Sequence, residues 1–421
     1  FTPAPLFSAM ILADSAEVPV RNVVFVAPFP MPATLRFAAG IRSLNDVRLI
    51  GRFQQPPAEM SGWDWLHIVP DALDPDVLTH ALQALTQKFG KIHHVAGILE
   101  NIQEPLAIAR QRLGIEGTDL QTATRFRDKG VMKDHLRAHG VPCARHARLR
   151  NEQDAWEFVR QVGFPIVIKP PSGAGAKATW RVRDAEELRG ALSSLRPSPH
   201  NEILAEEFLR GREFSFETIT LNNRPVFTSI SRYLPTPLEV LENPWIQWVC
   251  LLPRDVSGPE YRDAHALGQR VIDVMRPGFA VTHMEWFRRE DGSLAVGEIA
   301  MRPPGASISA MTGLVHDVDF HRAWARCAVD HQFDGPWERK FSAGVAFLRG
   351  QGRGRVAAVR GVDEAQRLMG QHVVEAKLPV VGAPKADGYE GDGYVVVRHP
   401  DTAVVERALE TLIQTVQVVY A

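Results

Sequence analysis

Val281-Thr-His-Met-Glu285-Trp-Phe-Arg-Arg-Glu-Asp291-Gly292-Ser-Leu-Ala-Val-Gly-Glu298-Ile-Ala-Met301 is the stretch on which the reading of this sequence turns. Asp-Gly between two apolar-rich runs signals a β-hairpin closed by a two-residue type I′ turn. In that register Glu285 stands opposite Glu298 on one face, with Cβ atoms about 5 Å apart. Alternation adds Phe287, Val296 and Ala300 to the same face, an apolar setting that aggravates the repulsion between the carboxylates. A divalent cation relieves that repulsion, and oxygen ligands suit Mg²⁺ or Mn²⁺. The alternative is a pair of solvated glutamates, or a slipped register that separates them. Arg302, four residues beyond Glu298, stays on the same face if the strand continues. There it serves as the carboxylates' salt-bridge partner, or it binds an anionic substrate or a developing oxyanion.

Upstream, Ile166-Val167-Ile168-Lys169-Pro170 reads as a buried strand leading into Pro171-Ser172-Gly173-Ala174-Gly175-Ala176-Lys177. The loop has neither the Gly-Lys-Ser/Thr helix start of a P-loop nor the third glycine of a dinucleotide turn. What remains is a small-residue loop between two strands with lysines at both ends. Its backbone N–H groups can approach phosphate oxygens closely, while Lys169 and Lys177 add point charge. A surface hairpin is the plainer reading. Further on, Ile203-Leu-Ala-Glu206-Glu207-Phe208-Leu209 ends a strand and runs into Arg210-Gly211-Arg212-Glu213. Acidic groups and free backbone beside Phe208 and Leu209 could hold an adenine edge and ribose hydroxyls; an ordinary strand end competes with that reading.

Around these segments the chain divides in texture. Residues 22–120 alternate strand-like runs (22–29, 47–53, 65–69, 94–99) with helical patterns (32–44, 74–89, 104–113), which implies a parallel sheet covered by helices. No glycine fingerprint follows the first strand. From about residue 122, helices are expected at 128–139, after the Asn151 cap, and from Asp184 with Glu187 to about Leu195. Residues 202–232 are strand-rich, 197–199 and 235–244 read as loops, and a final helix spans about 402–414. The expected division is residues 1–121, 122–332 (with a lid at about 141–200) and 333–421. A length of 421 residues suits two to four such units. Lys plus Arg number 48 against 49 Asp plus Glu, so no global field gathers a nucleic-acid backbone. Three scattered cysteines form no metal or disulfide framework. No apolar run approaches the ~20 residues of a membrane span. The expected location is the cytoplasm, with no nucleic-acid or membrane partner.

In order along the chain, these motifs resemble the ATP-grasp superfamily. Asp128-Lys129 with Met132-Lys133 resembles its first nucleotide segment, and Val167–Pro170 with Ser172–Lys177 its lysine strand and phosphate loop. Glu206–Leu209 resembles the adenine linker, while Glu285 and Glu298-Ile-Ala-Met-Arg302 resemble the metal glutamates and substrate arginine. The fold so implied is an ATP-grasp fold, α/β and α+β, with an amino-terminal Rossmann-like domain and a small carboxy-terminal α+β domain. Within the superfamily, Ile98-Leu-Glu100-Asn-Ile-Gln-Glu104, Arg302-Pro-Pro-Gly305-Ala, Thr312-Gly313 and Val318-Asp319 resemble dipeptide-forming L-amino-acid ligases. Biotin carboxylase is similar in architecture, but its usual His-Pro motif is replaced here by Pro303–Ser307. Ala300 stands where many members carry Asn, which puts a full two-metal site in question.

The resemblance implies ATP and Mg²⁺ (or Mn²⁺) as cofactors, a carboxylate and an amine as substrates, an acyl-phosphate intermediate, and release of ADP and phosphate. It implies nucleotide binding by Lys129, Lys169, Ser172, Gly173, Gly175, Ala176, Lys177, Glu206, Glu207, Phe208, Leu209 and Glu213. Metal falls to Glu285 and Glu298, and catalysis to Arg302 with Lys169. Substrate contacts fall to Arg302, Gly305 and Trp245, and a homodimer is possible. Competing readings are a ligase or carboxylase acting on another carboxylate or bicarbonate, and a non-catalytic nucleotide-binding module. The histidines, His283 included, are read as structural.

Overall fold

The computed structural model describes residues 20–57, 61–173, 179–243 and 246–421. The expected nucleotide residues Gly175, Ala176 and Lys177, and the expected substrate residue Trp245, lie outside the described residues.

The front of the chain forms a four-stranded sheet of β1 (Arg21–Ala27), β2 (Val47–Phe53), β3 (Trp65–Ile68) and β4 (Ile92–Ala96), ordered β3-β2-β1-β4. Each pairing is parallel. Such a sheet is covered on both faces, which is why β1 is buried along nearly its whole length. Helices Pro32–Arg42, Pro75–Phe89 and Gln103–Leu113 connect or follow the strands, in the order that the alternating pattern implies.

A second four-stranded sheet, antiparallel, holds β5 (His146–Leu149), β6 (Ile166–Lys169), β7 (Trp180–Val182) and β8 (Ile203–Glu207), in the order β5-β8-β6-β7. Two helices pack behind it, Glu152–Val162 and Ala185–Leu195. Asn151 and Asp184 cap them through side-chain oxygens that accept from the first-turn N–H groups. Residues 208–210 connect this layer to the largest sheet.

The remaining strands are β9 (Gly211–Leu221), β10 (Arg224–Leu234), β11 (Val249–Leu252), β12 (Ala280–Arg289), β13 (Leu294–Ala300), β14 (Ser342–Leu348), β15 (Val356–Arg360), β16 (Val373–Lys377), β17 (Gly393–His399) and β18 (Gln417–Tyr420). All but β15 and β18, which pair with each other, join one eight-stranded sheet ordered β13-β12-β9-β10-β11-β14-β17-β16. The sheet thus runs from the Glu285 hairpin into strands contributed by residues beyond 333. Helix Pro259–Met275, which the motif reading passed over, packs on it with Tyr261, Leu267, Val271 and Met275 buried. Residues 235–244, expected as loop, contain the short helix Pro237–Glu242, with Thr236 accepting from Glu239 N–H as its cap.

The hairpin itself corrects the sequence reading in an instructive way. Its turn is not the two-residue type. Arg289 N–H donates to Ser293 O and Gly292 N–H to Arg289 O, so three residues, Glu290 to Gly292, close the loop, with Gly292 at φ +83°. That loop shifts the register by one, pairing Trp286 with Val296. A bulge at Gly297 then shifts it back, so that Glu285 does pair with Glu298. Val296 therefore lies on the opposite face from the glutamates, beneath them in the core with Trp286. The strand ends at Ala300, so Arg302 stands just beyond the sheet rather than on it.

Trp286 is fully buried and stacks on Phe214 with ring centroids 4.4 Å apart, forming the floor under the carboxylate face. Trp286→Ala is expected to cost about 3–5 kcal/mol of stability by leaving a cavity there. Urea unfolding checks this; an unchanged midpoint would show that the hairpin does not lean on that ring.

Candidate active site

Three lysines and the carboxylates that hold them mark the junction between the two antiparallel layers. Glu206, at the end of β8, is buried and forms ion pairs with two ammonium groups, Lys133 Nζ at Oε1 and Lys169 Nζ at Oε2, both at 2.8 Å. Lys133, on helix Lys129–Ala138, is fully buried and also donates to the Gly297 carbonyl at 2.6 Å. Burial pushes the Lys133 pKa down despite Glu206. Burial would also lower Lys169, but the Glu206 and Glu298 charges outweigh it and raise its pKa. Burial alone would raise Glu206; the two lysines reverse the sign and hold it low.

Lys129, the first residue of its helix, ties the Glu285–Glu298 hairpin to the root of the glycine-rich loop. Its Nζ lies 3.3 Å from Glu298 and 3.8 Å from Glu100, and it donates to Gly173 O at 2.6 Å. Its backbone N–H donates to Pro171 O at 2.8 Å. Burial would raise Glu298, yet Lys129, Lys169 and Lys133 hold its carboxyl down to about 2. Gly173 takes φ +145° with open space around its Cβ position, leaving the backbone there free for close approach.

Along β9 and β12 every second residue faces this same side, because Glu213 pairs with Phe287, Ser215 with Glu285 and Glu217 with His283. The result is a row of carboxylates. Glu213 is pushed well above the ordinary carboxylate value, first by burial and then by Glu285 and Glu298. Glu217 is fully buried and accepts from His283 Nδ1 at 2.9 Å. His283 Nε2 faces Glu285 at 3.7 Å and the Tyr233 hydroxyl at 3.4 Å. Burial would lower this imidazole, but hydrogen bonds to Glu217 and Glu285 raise it to about 9. Glu285 and Glu298 remain partly open to solvent, at 29% and 18% of their side chains. A face this rich in closely set carboxylates, one of them forced towards its neutral form, has the donor set and the charge deficit that a hard divalent cation satisfies.

Arg302 closes one end of the row. Its Nε lies 3.4 Å from Glu100, in a short 3₁₀ turn of the front domain, and its Nη1 donates to Pro303 O. Burial, then Glu298, pushes Glu100 up against the pull of Lys129 and Arg302. Beyond Arg302, Ala306 and Ser307 both adopt left-handed backbone (φ +50° and +60°). The Ala306 N–H donates to Glu390, which is contributed by the last third of the chain. Gly305 lies beside the same carboxylate.

Of the residues singled out from sequence, Lys129, Lys169, Gly173, Glu206, Glu213, Glu285 and Glu298 therefore converge, with Arg302 and Gly305 adjoining. Ser172 lies in the same loop, next to Gly173. Glu207 points elsewhere, to Arg145 at 2.8 Å and Arg289 at 3.3 Å. Phe208 lies under the Arg181 guanidinium, 4.9 Å from the ring centre, and shares the 208–210 connector with Leu209. Lys133, Glu100, Glu217, Tyr233 and Glu390 join the site without having been assigned a role from sequence. The signal for Glu217 was its even spacing from Glu213. It becomes readable only once β9 is known to lie beside β12.

The ATP-grasp domain family matches residues 134–313. An L-arginine-specific L-amino acid ligase of Bacillus subtilis is 27% identical over 289 residues, 66% of this chain and 68% of that protein. Among solved structures, an L-amino acid ligase from Bacillus licheniformis superposes with TM-score 0.79 at 17% identity, covering 96% of this chain and all of the other. The biotin carboxylase domain of the Hydrogenobacter thermophilus 2-oxoglutarate carboxylase, solved as a dimer with MgADP, ADP and bicarbonate, gives 0.65 at 15% identity over 94% of this chain and 90% of its own. Among the described residues, no helix is long and apolar enough to cross a membrane.

The acidic row makes its own forecast for the metal-free protein. Because the folded-state pKa of Glu213 is raised above 4.5, its contribution to stability is full below that value and is lost as pH rises through the higher one. Glu213→Gln should therefore leave the thermal midpoint unchanged near pH 4 and raise it at pH 7, by about 1 °C for each kcal/mol relieved in a chain of this length. Equal midpoints at pH 7 in the presence of a chelator would show that Glu213 is not strained.

Proposed function

Because the chain carries an ATP-grasp domain on an ATP-grasp fold, we propose that it is an ATP-dependent carboxylate–amine ligase that joins amino acids. The observation that carries the proposal is the meeting of Lys129, Lys169, Glu298 and the root of the glycine-rich loop at one point, with Arg302 adjoining. The similarity to an L-arginine-specific ligase supports an amino acid as the carboxylate substrate.

The residues divide the work by charge. The ammonium groups of Lys129, Lys133 and Lys169 are held by Glu100, Glu206 and Glu298. A triphosphate competes for Lys129 and Lys169, while Lys133, fully buried on Glu206 and Gly297 O, stays in place as the fixed member. Ser172 and Gly173, on a loop whose Pro171 and Gly173 carbonyls Lys129 holds, present their backbone N–H groups to the phosphate oxygens. Glu285 and Glu298 would hold Mg²⁺ or Mn²⁺, which when bound supplies charge neutralisation to the phosphoryl oxygens. Arg302, oriented by Glu100, is placed to grip the carboxylate that accepts the phosphoryl group and then the oxyanion formed when the amine attacks. Donors of that kind contribute about 10²–10³ in rate. The products are an amide, ADP and phosphate. The β5–β8 layer, joined by the short 208–210 connector, is the element that can close over the acyl-phosphate and keep water from it.

ADP and phosphate release, measured across a panel of amino-acid pairs, tests the reading. Turnover that depends on two amino acids, with a dipeptide formed in step with ADP, is the expected result. Stimulation by bicarbonate with biotin instead, or tight ATP binding without turnover, overturns it. Glu298→Gln should abolish Mg²⁺-dependent turnover with the fold intact, and Lys169→Ala should raise the ATP concentration required.

A further inference from the structure

His283 stands directly across the ladder from Ala300, two residues past Glu298 on the strand that carries it. A methyl group at 300 offers a cation no donor atom, whereas the imidazole opposite it reaches over the same surface. Two contacts fix that ring. The buried Glu217 carboxylate accepts from Nδ1 at 2.9 Å, and this leaves Nε2 directed at Glu285, 3.7 Å away. A carboxylate that binds one ring nitrogen and so aims the other is the support that metal-binding histidines ordinarily have. In the near-octahedral shell of Mg²⁺ or Mn²⁺, two neighbouring ligand atoms about 2.1 Å from the ion lie about 3 Å apart. The His283–Glu285 spacing of 3.7 Å is wider than that by less than an ångström, a gap that a rotation of the partly exposed Glu285 side chain closes. The other neighbour of Nε2, the Tyr233 hydroxyl at 3.4 Å, is too far to occupy its lone pair firmly.

We infer that His283 Nε2 is a ligand of a divalent ion that accompanies the nucleotide, sharing it with Glu285 and filling the position that Ala300 leaves without a donor. The inference rests on the reading of Glu285 and Glu298 as metal carboxylates. Among the described residues, no three histidine, cysteine or carboxylate side chains are arranged to hold a cation unaided. Two protein ligands then supply part of a coordination shell, and phosphate oxygens and water complete it. The ion is accordingly bound with the nucleotide and not before it. Ligation uses the Nε2 lone pair, so a proton carried there passes to solvent while the Nδ1 proton stays on the ring, donated to Glu217. An imidazole in the shell also favours Mn²⁺ over Mg²⁺ relative to an all-oxygen site.

The test uses the full chain with Mn²⁺ and ADP, read by electron spin-echo envelope modulation. A directly bound imidazole gives nitrogen modulation, and protein grown on ¹⁵N-histidine should show the pattern change to that of ¹⁵N, which sets it apart from any adenine nitrogen. His283→Gln and His283→Ala should each remove the signal and weaken Mn²⁺ binding in the presence of ADP about tenfold or more. Circular dichroism confirms that the variants fold. Bound Mn²⁺ with no histidine-nitrogen modulation overturns His283 as a ligand and leaves the carboxylate reading standing. No bound Mn²⁺ at all in the presence of ADP overturns both. The labelled wild-type protein decides between these outcomes even if both variants fail to fold.

Discussion

One carboxylate between two buried ammonium groups sets the geometry of this site. Glu206 is the point where the small antiparallel layer, the helix carrying Lys133 and the strand carrying Lys169 meet. Taking these charges out of water is costly, and the arrangement persists because each is paired. Lys133 then reaches on to the Gly297 carbonyl, at the bulge that restores the Glu285–Glu298 register. The charge network and the irregular strand are therefore one device. Without the bulge the two glutamates would not face each other, and the bulged carbonyl is itself held by the lysine that Glu206 fixes.

How the sequence reading reached the Glu285–Glu298 pair shows what local pattern can carry. The Asp291-Gly292 signal located the hairpin correctly but gave the wrong loop length, by one residue. The bulge at Gly297, invisible to alternation, offset that error by one residue in the other direction. The pairing was right for a reason that was only half right, and the face assigned to Val296 was wrong as a result. Elsewhere the local chemistry sufficed. Asn151 and Asp184 announced their helices through the hydrogen bonds that such caps make, and the strand–helix alternation of residues 22–120 produced the parallel sheet.

What stayed hidden was long-range. Glu217 and His283 are 66 positions apart, so no local window pairs them. Their meeting depends on β9 lying beside β12, which no window of residues reveals. Glu100 likewise reaches Arg302 from the front domain, and Glu390 reaches Ala306 from the last third of the chain. Lys133 was noticed only as part of a motif, since a lysine at a buried helix position looks like a surface residue until its two acceptors are seen. Helix Pro259–Met275 begins at Gly258 without a side-chain cap, so Pro259 at its first position is the start signal left there.

The eight-stranded sheet, and the apolar cluster that joins β1 and β2 to Phe320, Trp324 and Val329, bear on how the chain is made. During synthesis the front sheet leaves the ribosome with one apolar side uncovered, because its cover is encoded some 280 residues later in the pairing of Ser43 with Arg322. The sheet that carries Glu285 likewise waits for β14 and β17 to complete it. Closure between such distant segments is slow, and the waiting surfaces are apolar. The last side of the front sheet is thus covered only once residues 320–329 have been made, and a chain released before residue 330 would leave that apolar surface open to water.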